Sequence, residues 1–503
     1  MKIRVLRILV PPLEQILRLA ESRYGLFRRA LTGAPPGLLA RLGTWRAVHA
    51  ADSARRRVPA YRQFAADHGV TDREIATLRL PFTDKRGYID RYDVVARCVD
   101  GRLPASGCAI DESSGSTGTP YNWVRSRRER ETIETSVSHF TRYLYGEDAL
   151  VTINAFSMGA WATGTSMGMA MQRNGIVKNT GPDADKILAT LAFLGTGHRY
   201  LVCGYPPFLK HLIDVARDRG FELGDFDLAG AVGGEGMSEG LRDYLCSTFD
   251  PVYSGYGATD IELGLAGETP LTVALRRAAL ADPGLRRALF GDDPRLPMLF
   301  QYNPLNHHVT VTDDGELVFT VTRSGVLCPR IAYNVHDEGG VATHAAIAQR
   351  LRAAGIDIAA LTATSEPVLR LPFLWVYGRT DSTVSVMGAN IYPEDVEQAL
   401  YRRPELAALT SSFCLGLEEQ AEGTVRPYFA FEMRGSITAG LAERFERDIV
   451  AEVESINADF RVAMGEHRDG VRPVVRLFGS GEGPFRRDRG RIKQTRVLSP
   501  VIA

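Results

Sequence analysis

The sequence predicts an α/β protein of two domains, and three observations support this prediction. The chain has 503 residues, which is more than one core of ordinary size requires. Short apolar runs alternate with helical segments from residue 150 to 260, for example Leu150–Ile153, Tyr200–Cys203 and Ala229–Val232. Such alternation predicts mostly parallel sheets covered by helices. Finally, the composition changes near residue 378, where a smaller domain begins.

The large domain is expected to extend over residues 1–380. Residues 1–75 are rich in Leu, Ala and Arg, and their apolar residues recur at helical spacing, which predicts a helical cap. Residues 127–145 predict a further helix with one apolar side. Residues 268–300 form a helical segment without an assigned role, and residues 315–345 are rich in strands.

The small domain is expected to comprise residues 381–503. Gly378–Asp381 predicts a turn, and the alternating residues Thr383–Met387 predict a strand. Pro393 is followed by Glu394 and Asp395, and a proline with acids in the first turn suits the N-terminus of a helix. A strand followed by a helix predicts a small α+β domain.

Charge and cysteine usage exclude several classes of protein. Lys and Arg together number 60, as do Asp and Glu, so no overall positive field favours nucleic acid or an anionic membrane. The chain contains no uninterrupted apolar run of about 18 residues, which a spanning helix requires. Its six cysteines are scattered and form no CxxC pair, so they predict reduced, buried thiols in a cytoplasmic protein rather than a zinc site or a disulfide framework.

Ser113–Pro120 is the stretch with the strongest chemical signal. Seven of its eight residues are Ser, Thr or Gly, and such a loop can present backbone N–H groups and hydroxyls to one anionic ligand. Polyphosphate is the obvious candidate, although a polar surface turn has the same composition. A Walker loop is excluded, because Thr119 and Pro120 stand where it has a Lys followed by Ser or Thr.

The order of motifs resembles that of the adenylate-forming superfamily of acyl-CoA synthetases and adenylation domains. Within that superfamily the likeness is greatest to phenylacetate–CoA ligase and relatives from capsule biosynthesis. The resemblance covers about residues 50 to 500 and rests on these segments: Ser113–Pro120, Gly233–Glu235, Tyr256–Asp260, Arg330–Asp337, Gly378–Asp381 and Gly490–Lys493. It implies a large N-terminal domain and a small mobile C-terminal domain.

The resemblance also implies a binding site for ATP. By this resemblance, Tyr256 is expected to lie against adenine, Asp337 to accept hydrogen bonds from the ribose, and Arg379 to contact the nucleotide. The phosphate loop has Thr119 in place of the usual Lys, and His336 stands where Gly is usual. The implied nucleotide-binding residues are Ser113, Ser114, Gly115, Ser116, Thr117, Gly118, Gly234, Glu235, Tyr256, Gly257, Asp337 and Arg379.

The same resemblance implies the catalytic groups. By this resemblance, Thr259 is expected to contact the α-phosphate, and Lys493, in a strongly basic stretch, to stabilise the charge that develops on that phosphate. Asp260 holds Mg²⁺, directly or through water, with Glu262 as a second candidate. Two further sets of residues are implied: the hinge at Asp381, and the acyl pocket bordered by Trp161, Gly164 and Gly255.

The implied reaction consumes a small-molecule acid and MgATP, and CoA is the leading acceptor of the acyl group. One alternative keeps adenylation but changes the acceptor to an amine or a carrier-protein thiol, or adenylates nitrite, as in natural-product pathways. Another alternative is a nucleotide-binding relative without catalysis. A homodimer is plausible from the family alone.

Overall fold

A computed structural model describes the following residues: 3–113, 121–159, 162–293, 295–361, 368–379, 384–386, 389–419, 425–466, 468–486, 496–498 and 501–502. The chain divides into two compact units. Unit 1 comprises Met1–Gly181, Ala231–Gly234 and Tyr253–Gly378. Unit 2 comprises Pro182–Gly230, Glu235–Val252 and Arg379–Ala503.

Helices cover much of the chain. They are α1 Ile3–Glu21, α2 Tyr24–Gly33, α3 Pro36–Arg57, α4 Pro59–Asp67, α5 Asp72–Thr77, α6 Val94–Arg97, α7 Arg127–Tyr145, α8 Ala162–Met171, α9 Ala184–Leu194, α10 Pro206–Asp218, α11 Glu239–Cys246, α12 Pro270–Ala281, α13 Pro283–Phe290, α14 His344–Ala353, α15 Pro393–Tyr401, α16 Pro404–Leu409, α17 Leu441–Ile456, α18 Ala458–Glu466 and α19 Arg468–Val471. Lys85–Ile89 forms a single π-helical turn. No helix in the described ranges is long and apolar enough to cross a membrane.

The strands are β1 Cys108–Glu112, β2 Asn122–Ser126, β3 Leu150–Asn154, β4 Gly175–Asn179, β5 Arg199–Gly204, β6 Asp227–Gly233, β7 Val252–Ala258, β8 Glu262–Gly267, β9 Met298–Tyr302, β10 His307–Val311, β11 Glu316–Val321, β12 Tyr333–Ala342, β13 Phe373–Arg379, β14 Val384–Val386, β15 Ala389–Ile391, β16 Thr410–Glu419, β17 Val425–Met433, β18 Val474–Phe478 and β19 Val501–Ile502.

In unit 1, seven strands lie side by side in the order β10-β11-β12-β13-β9-β8-β7. The pairs β10–β11, β11–β12, β13–β9, β9–β8 and β8–β7 are antiparallel, whereas β3 and β4 are parallel. The α/β class is therefore confirmed, but the expectation of mostly parallel sheets does not extend to the strands from β7 to β13. The turn Thr259–Ile261 between β7 and β8 shows the reason, because a connection of three residues permits only an antiparallel pair.

Local sequence explains where the main helices begin. α7 begins after Ser126, whose hydroxyl accepts a hydrogen bond from the N–H of Glu129 at 3.1 Å. α15 begins at Pro393 and has Glu394 and Asp395 in its first turn, as the sequence predicted. Residues 3–77 consist of the five helices α1–α5.

Unit 2 contains a four-stranded sheet in the order β18-β17-β16-β19, which packs with its helices around Phe413, Phe429, Phe431 and Phe445. This unit also includes residues 182–230 and 235–252, which the sequence assigned to the large domain. Buried hydrogen bonds to Thr410 and Glu397 explain this grouping. Lys210 Nζ bonds to Asp214 Oδ2 at 2.7 Å and to Thr410 O at 2.5 Å, and the N–H of Ser238 donates to Glu397 at 2.8 Å. A boundary at 380 and 381 between moving domains stays a prediction.

None of the six cysteines, all in the described ranges, forms a disulfide. Four are buried, but Cys108 and Cys246 are partly exposed, which the sequence did not predict.

Candidate active site

The predicted phosphate loop connects β1 and β2, which form an antiparallel hairpin. Beyond the last paired residues, the N–H of Ser113 donates to Tyr121 O at 2.9 Å, and the N–H of Tyr121 donates to Ser113 Oγ at 2.9 Å. These two bonds hold the two ends of the loop together. Residues Ser114–Pro120 lie outside the described residues, so their part in binding phosphate stays a prediction.

Tyr256 and Asp337 come from β7 and β12, which are not neighbours in the sheet, and the fold brings them together. The Tyr256 hydroxyl donates to Asp337 Oδ2 at 2.5 Å, and its ring stacks on Phe300 with 5.8 Å between centroids. Burial and the charge of Asp337 raise the pKa of Tyr256 well above its ordinary value, so the phenol stays a donor. The pair therefore combines an aromatic ring with a carboxylate that can also accept bonds from hydroxyl groups.

Asp260 lies in the turn between β7 and β8, and its side chain meets a cation and a phenol. Its Oδ2 atom is 3.0 Å from Lys85 Nζ and accepts a hydrogen bond from the Tyr333 hydroxyl at 3.0 Å. Burial and the nearby Asp260 charge raise the pKa of Tyr333 well above its ordinary value. Both contacts use Oδ2, and no hydrogen bond to Oδ1 comes from the described part of the chain.

Two buried arginines, Arg125 and Arg330, bond to the backbone of the turn Thr259–Ile261. Sequence analysis assigned no role to either. Arg125 donates through Nη2 to Thr259 O at 2.6 Å and through Nη1 to Ile261 O at 2.8 Å. Arg330 donates through Nε to Asp260 O at 2.9 Å. Three consecutive carbonyl groups are therefore fixed by guanidinium groups, which positions the side chains of Thr259 and Asp260.

Buried carboxylates neutralise the charges of both arginines. Arg125 Nε bonds to Asp111 Oδ2 at 2.6 Å, and both guanidinium groups reach Glu129, at 3.0 and 3.3 Å. Strand alternation could have revealed Arg125, because it lies two residues after the buried Trp123 and so shares its inward face. Glu129 follows Arg125 by four residues, but the partners of Arg125 in the turn are more than 130 positions away and leave no local pattern.

Glu262, the second candidate for the metal, has a different environment from Asp260. It is only 1% exposed, and its Oε1 atom contacts both Arg323 and His307. Burial lowers the pKa of His307 to about 3, so the imidazole is neutral and donates to the carboxylate. A carboxylate already neutralised by a buried arginine has little charge left for Mg²⁺, so Asp260 is the better candidate of the two, and its role as a metal ligand stays a prediction.

The glycines of the motifs lie where the backbone comes close to other groups. A Cβ atom on Gly257 would lie 3.0 Å from Glu262 O, and one on Gly164 would lie 2.3 Å from Ser157 O. Gly234 has a φ of 84°, a conformation that glycine adopts without strain. Gly255 is less constrained, since its Cβ would meet only Val232 O at 3.9 Å.

His336, which stands in place of the usual glycine, also has a positive φ, of 60°. Its Nδ1 atom is 3.2 Å from both carboxylate oxygens of Glu316, and its Nε2 atom is 3.5 Å from Asp84. The left-handed backbone explains why glycine suits this position. The two carboxylates offset part of the cost of a side chain there.

The remaining predicted residues are only partly placed. Trp161, Asp381 and Lys493 lie outside the described residues, so their roles stay predictions. Arg379 ends β13, and only its backbone is described. Glu235 and Arg379 belong to unit 2.

The residues present fit a Mg²⁺ ion that is also bound by phosphate. The described ranges contain no cluster of three or more His, Cys, Asp or Glu side chains able to hold a metal by themselves. Mg²⁺ in nucleotide sites is usually bound by one or two carboxylates together with substrate phosphates and water. Asp260, with its 11% exposed side chain, supplies one such carboxylate.

No family model and no curated protein matches the sequence. Solved structures do match, and among them are structures of a CoA ligase whose fold this chain shares. The match to a 2-hydroxyisobutyryl-CoA ligase in the postadenylation state with R3-HIB-AMP has a TM-score of 0.65 at 15% identity, over 91% of this chain and 88% of that chain. The same ligase with 2-HIB-AMP and CoA, in the thioesterification state, gives 0.54 at 16% identity, over 94% and 91%.

At this level of identity the likeness establishes the fold and not the activity. It covers nearly the whole of both chains, so the similarity is not limited to one unit. The α/β fold expected from the adenylate-forming resemblance is confirmed.

Proposed function

We propose that the protein is an AMP-forming ligase, which activates a carboxylic acid as its acyl-adenylate and transfers the acyl group to CoA. The observation that carries this proposal is the hydrogen bond between Tyr256 and Asp337. Tyr256 is followed closely in sequence by Thr259 and Asp260, whose turn is held by Arg125 and Arg330. The solved structures with the same fold hold an acyl-AMP and, in one case, CoA, which supports the same chemistry.

In this proposal the chain positions ATP and does not attack it. Tyr256 lies beside adenine, and Asp337 accepts a hydrogen bond from the ribose while Tyr256 holds its carboxylate in place. Thr259 contacts the α-phosphate and Asp260 holds Mg²⁺, which neutralises phosphate charge when it is bound. The two arginines beneath the turn keep these groups in place before ATP arrives, which reduces the cost of ordering them.

The first step is an in-line displacement at phosphorus. A carboxylate oxygen of the acid bonds to the α-phosphorus, the bond to the β-phosphate oxygen breaks, and pyrophosphate leaves. Lys493 stabilises the negative charge on the α-phosphate oxygens during this step. In the second step the CoA thiol loses its proton and its sulfur bonds to the acyl carbon, and AMP leaves. Between the steps the small domain turns about Asp381, a conformational step of the lid type.

The finer assignments belong to this proposal. The likeness to phenylacetate–CoA ligase favours an aryl acid as the substrate. The alternatives that keep adenylation have an amine or a carrier-protein thiol as the acceptor, or nitrite in place of the carboxylic acid. A cytoplasmic location and a homodimer remain expectations from sequence and family.

The test is ATP–pyrophosphate exchange with a panel of aryl acids, fatty acids, amino acids and nitrite. Exchange with one class establishes adenylation and identifies the substrate, and CoA, amines and carrier proteins then identify the acceptor. Lys493→Ala is expected to abolish exchange and to leave ATP affinity within a few-fold, whereas Lys186→Ala, an exposed lysine, changes neither. ATP binding without exchange for any acid would favour the non-catalytic alternative.

A further inference from the structure

Lys85 is a basic residue that the assignment above leaves without a role, yet it reaches the centre of the candidate site. Its Nζ atom is 3.0 Å from Asp260 Oδ2 and 5.3 Å from the centre of the Tyr121 ring. The side chain is 28% exposed, so a ligand can reach it. The lysine therefore lies between the proposed metal ligand and the residue at which the phosphate loop ends.

The backbone that carries Lys85 is firmly anchored. The preceding Thr83 donates from its N–H to Ala332 O and from its hydroxyl to Ile331 O, both at 2.9 Å, and accepts from the N–H of Asn334 at 2.8 Å. Asp84 caps the π-helical turn that Lys85 begins. The segment is thus fixed to the start of β12, and only the lysine side chain has to move to meet a ligand.

Tyr121 is also fixed. Its backbone bonds to Ser113, and its hydroxyl donates to Asp90 Oδ2 at 2.9 Å. With the ring held in place, its contact with the ammonium group of Lys85 is a cation–π interaction. This contact places a positive charge at the closing end of the loop.

The rarity of lysine in this chain adds weight to the position. Only six of the 60 basic residues are Lys, and two of them are Lys85 and Lys493. An ammonium group on a flexible stem is a mobile point charge, suited to a phosphate that arrives and leaves, whereas arginine suits fixed carboxylate pairs such as those beneath the turn. Thr119 cannot supply the cation that related phosphate loops place before their proline.

We propose that Lys85 binds the β- and γ-phosphates of ATP and so supplies the charge that Thr119 lacks. This inference rests on the proposed function. When ATP binds, the ammonium group moves from Asp260 to the phosphate oxygens, and the Asp260 carboxylate is released to hold Mg²⁺. Lys85 thereby keeps Asp260 neutralised between turnovers and belongs to the pyrophosphate subsite, not to the adenosine subsite.

The test compares ATP with AMP, because AMP lacks both of these phosphates. Affinities are measured by calorimetry for the wild type, Lys85→Met, Lys85→Arg and the exposed control Lys178→Ala, with Mg²⁺ and in EDTA. We expect Lys85→Met to weaken ATP binding about tenfold to a hundredfold, the worth of a charged hydrogen bond, and AMP binding less than about threefold. Lys85→Arg should recover part of the ATP affinity, and Lys178→Ala should match the wild type.

Loss of ATP affinity must persist in EDTA, because the contact is direct. Three outcomes would overturn the inference in favour of a role limited to holding Asp260. They are equal losses of affinity for ATP and AMP, no loss of affinity for either, and a loss of ATP affinity that vanishes without Mg²⁺. A wild type that binds ATP and shows the Lys85 effect, but exchanges pyrophosphate with no acid, would refute only the proposed function. A wild type that does not bind ATP would refute both.

Discussion

Replacing Arg125 with alanine is expected to destabilise unit 1 and to loosen the turn that carries Thr259 and Asp260. The variant loses hydrogen bonds to two backbone carbonyls and contacts with two carboxylates. Glu129 keeps its contact with Arg330 at 3.3 Å, but Asp111 keeps no other ion pair in the described part of the chain. A buried carboxylate without its cation costs about 3–5 kcal/mol, which sets the expected loss in the free energy of unfolding.

The assay is urea unfolding followed by tryptophan fluorescence. All four tryptophans, which are Trp45, Trp123, Trp161 and Trp375, fall in the sequence ranges of unit 1, so this signal reports on that unit alone. The matched control is Arg127→Ala, because Arg127 pairs with exposed Glu131 on α7, two residues after Arg125, and its loss should cost only about 0.3–0.5 kcal/mol. Asp111→Ala added to Arg125→Ala should restore part of the loss by removing the unpaired charge.

ATP affinity provides the second readout. We expect Arg125→Lys, which keeps the charge but loses the fork of donors, to fold and to bind ATP more weakly than the wild type. If Arg125→Ala is no less stable than Arg127→Ala, or if Arg125→Lys binds ATP as the wild type does, the buried arginines do not position the turn for ATP.

Three further predictions concern the carboxylates and the strained histidine. Asp260→Asn should raise the Mg²⁺ concentration needed for pyrophosphate exchange, whereas Glu262→Gln should lower stability and leave that requirement unchanged; the reverse pattern would reassign the metal. His336→Gly should be about 1 kcal/mol more stable than His336→Ala in urea unfolding, because only alanine keeps the strain of a positive φ, and equal stability would contradict this. Burial alone would raise the pKa of Glu316, but hydrogen bonds from Asn334 and His336 outweigh burial and lower that pKa. The contribution of Glu316 to stability is therefore present above about pH 4.5 and is lost as the pH falls below it. The stability difference between wild type and Glu316→Gln should therefore shrink in acid, and a constant difference would argue against it.

The sequence predicted the elements with clear local patterns. The helix at residues 127–145 and the strands near residues 150, 200, 229 and 252 follow from apolar spacing, and the structure has them at these places. The antiparallel half of the unit 1 sheet was not predicted, because strand direction depends on which strands become neighbours. The short turn after β7 was the available signal, since three residues cannot make a crossover.

The candidate site was predictable only where a motif indicated the residue. The motifs indicated Tyr256 and Asp337 by resemblance, and the fold brings them within 2.5 Å although 81 residues separate them. The motifs could not indicate Lys85 or the support that Arg125 gives to the turn, since these particular contacts join residues more than 130 positions apart. Long-range contacts of this kind leave no regular spacing in the sequence.

Asp260 and Glu262 show why position in a motif did not decide between the two candidate metal ligands. The two carboxylates are two residues apart, and sequence alone leaves either able to bind Mg²⁺. The two carboxylates differ in burial. Glu262 is buried with Arg323, so removing either charge would leave the other buried without a partner. Asp260 instead meets a lysine that is partly exposed, and water or phosphate can take over that ammonium group at little cost. A carboxylate whose cation can be exchanged is suited to a metal that arrives with each ATP, and a carboxylate whose cation is fixed is suited to the core.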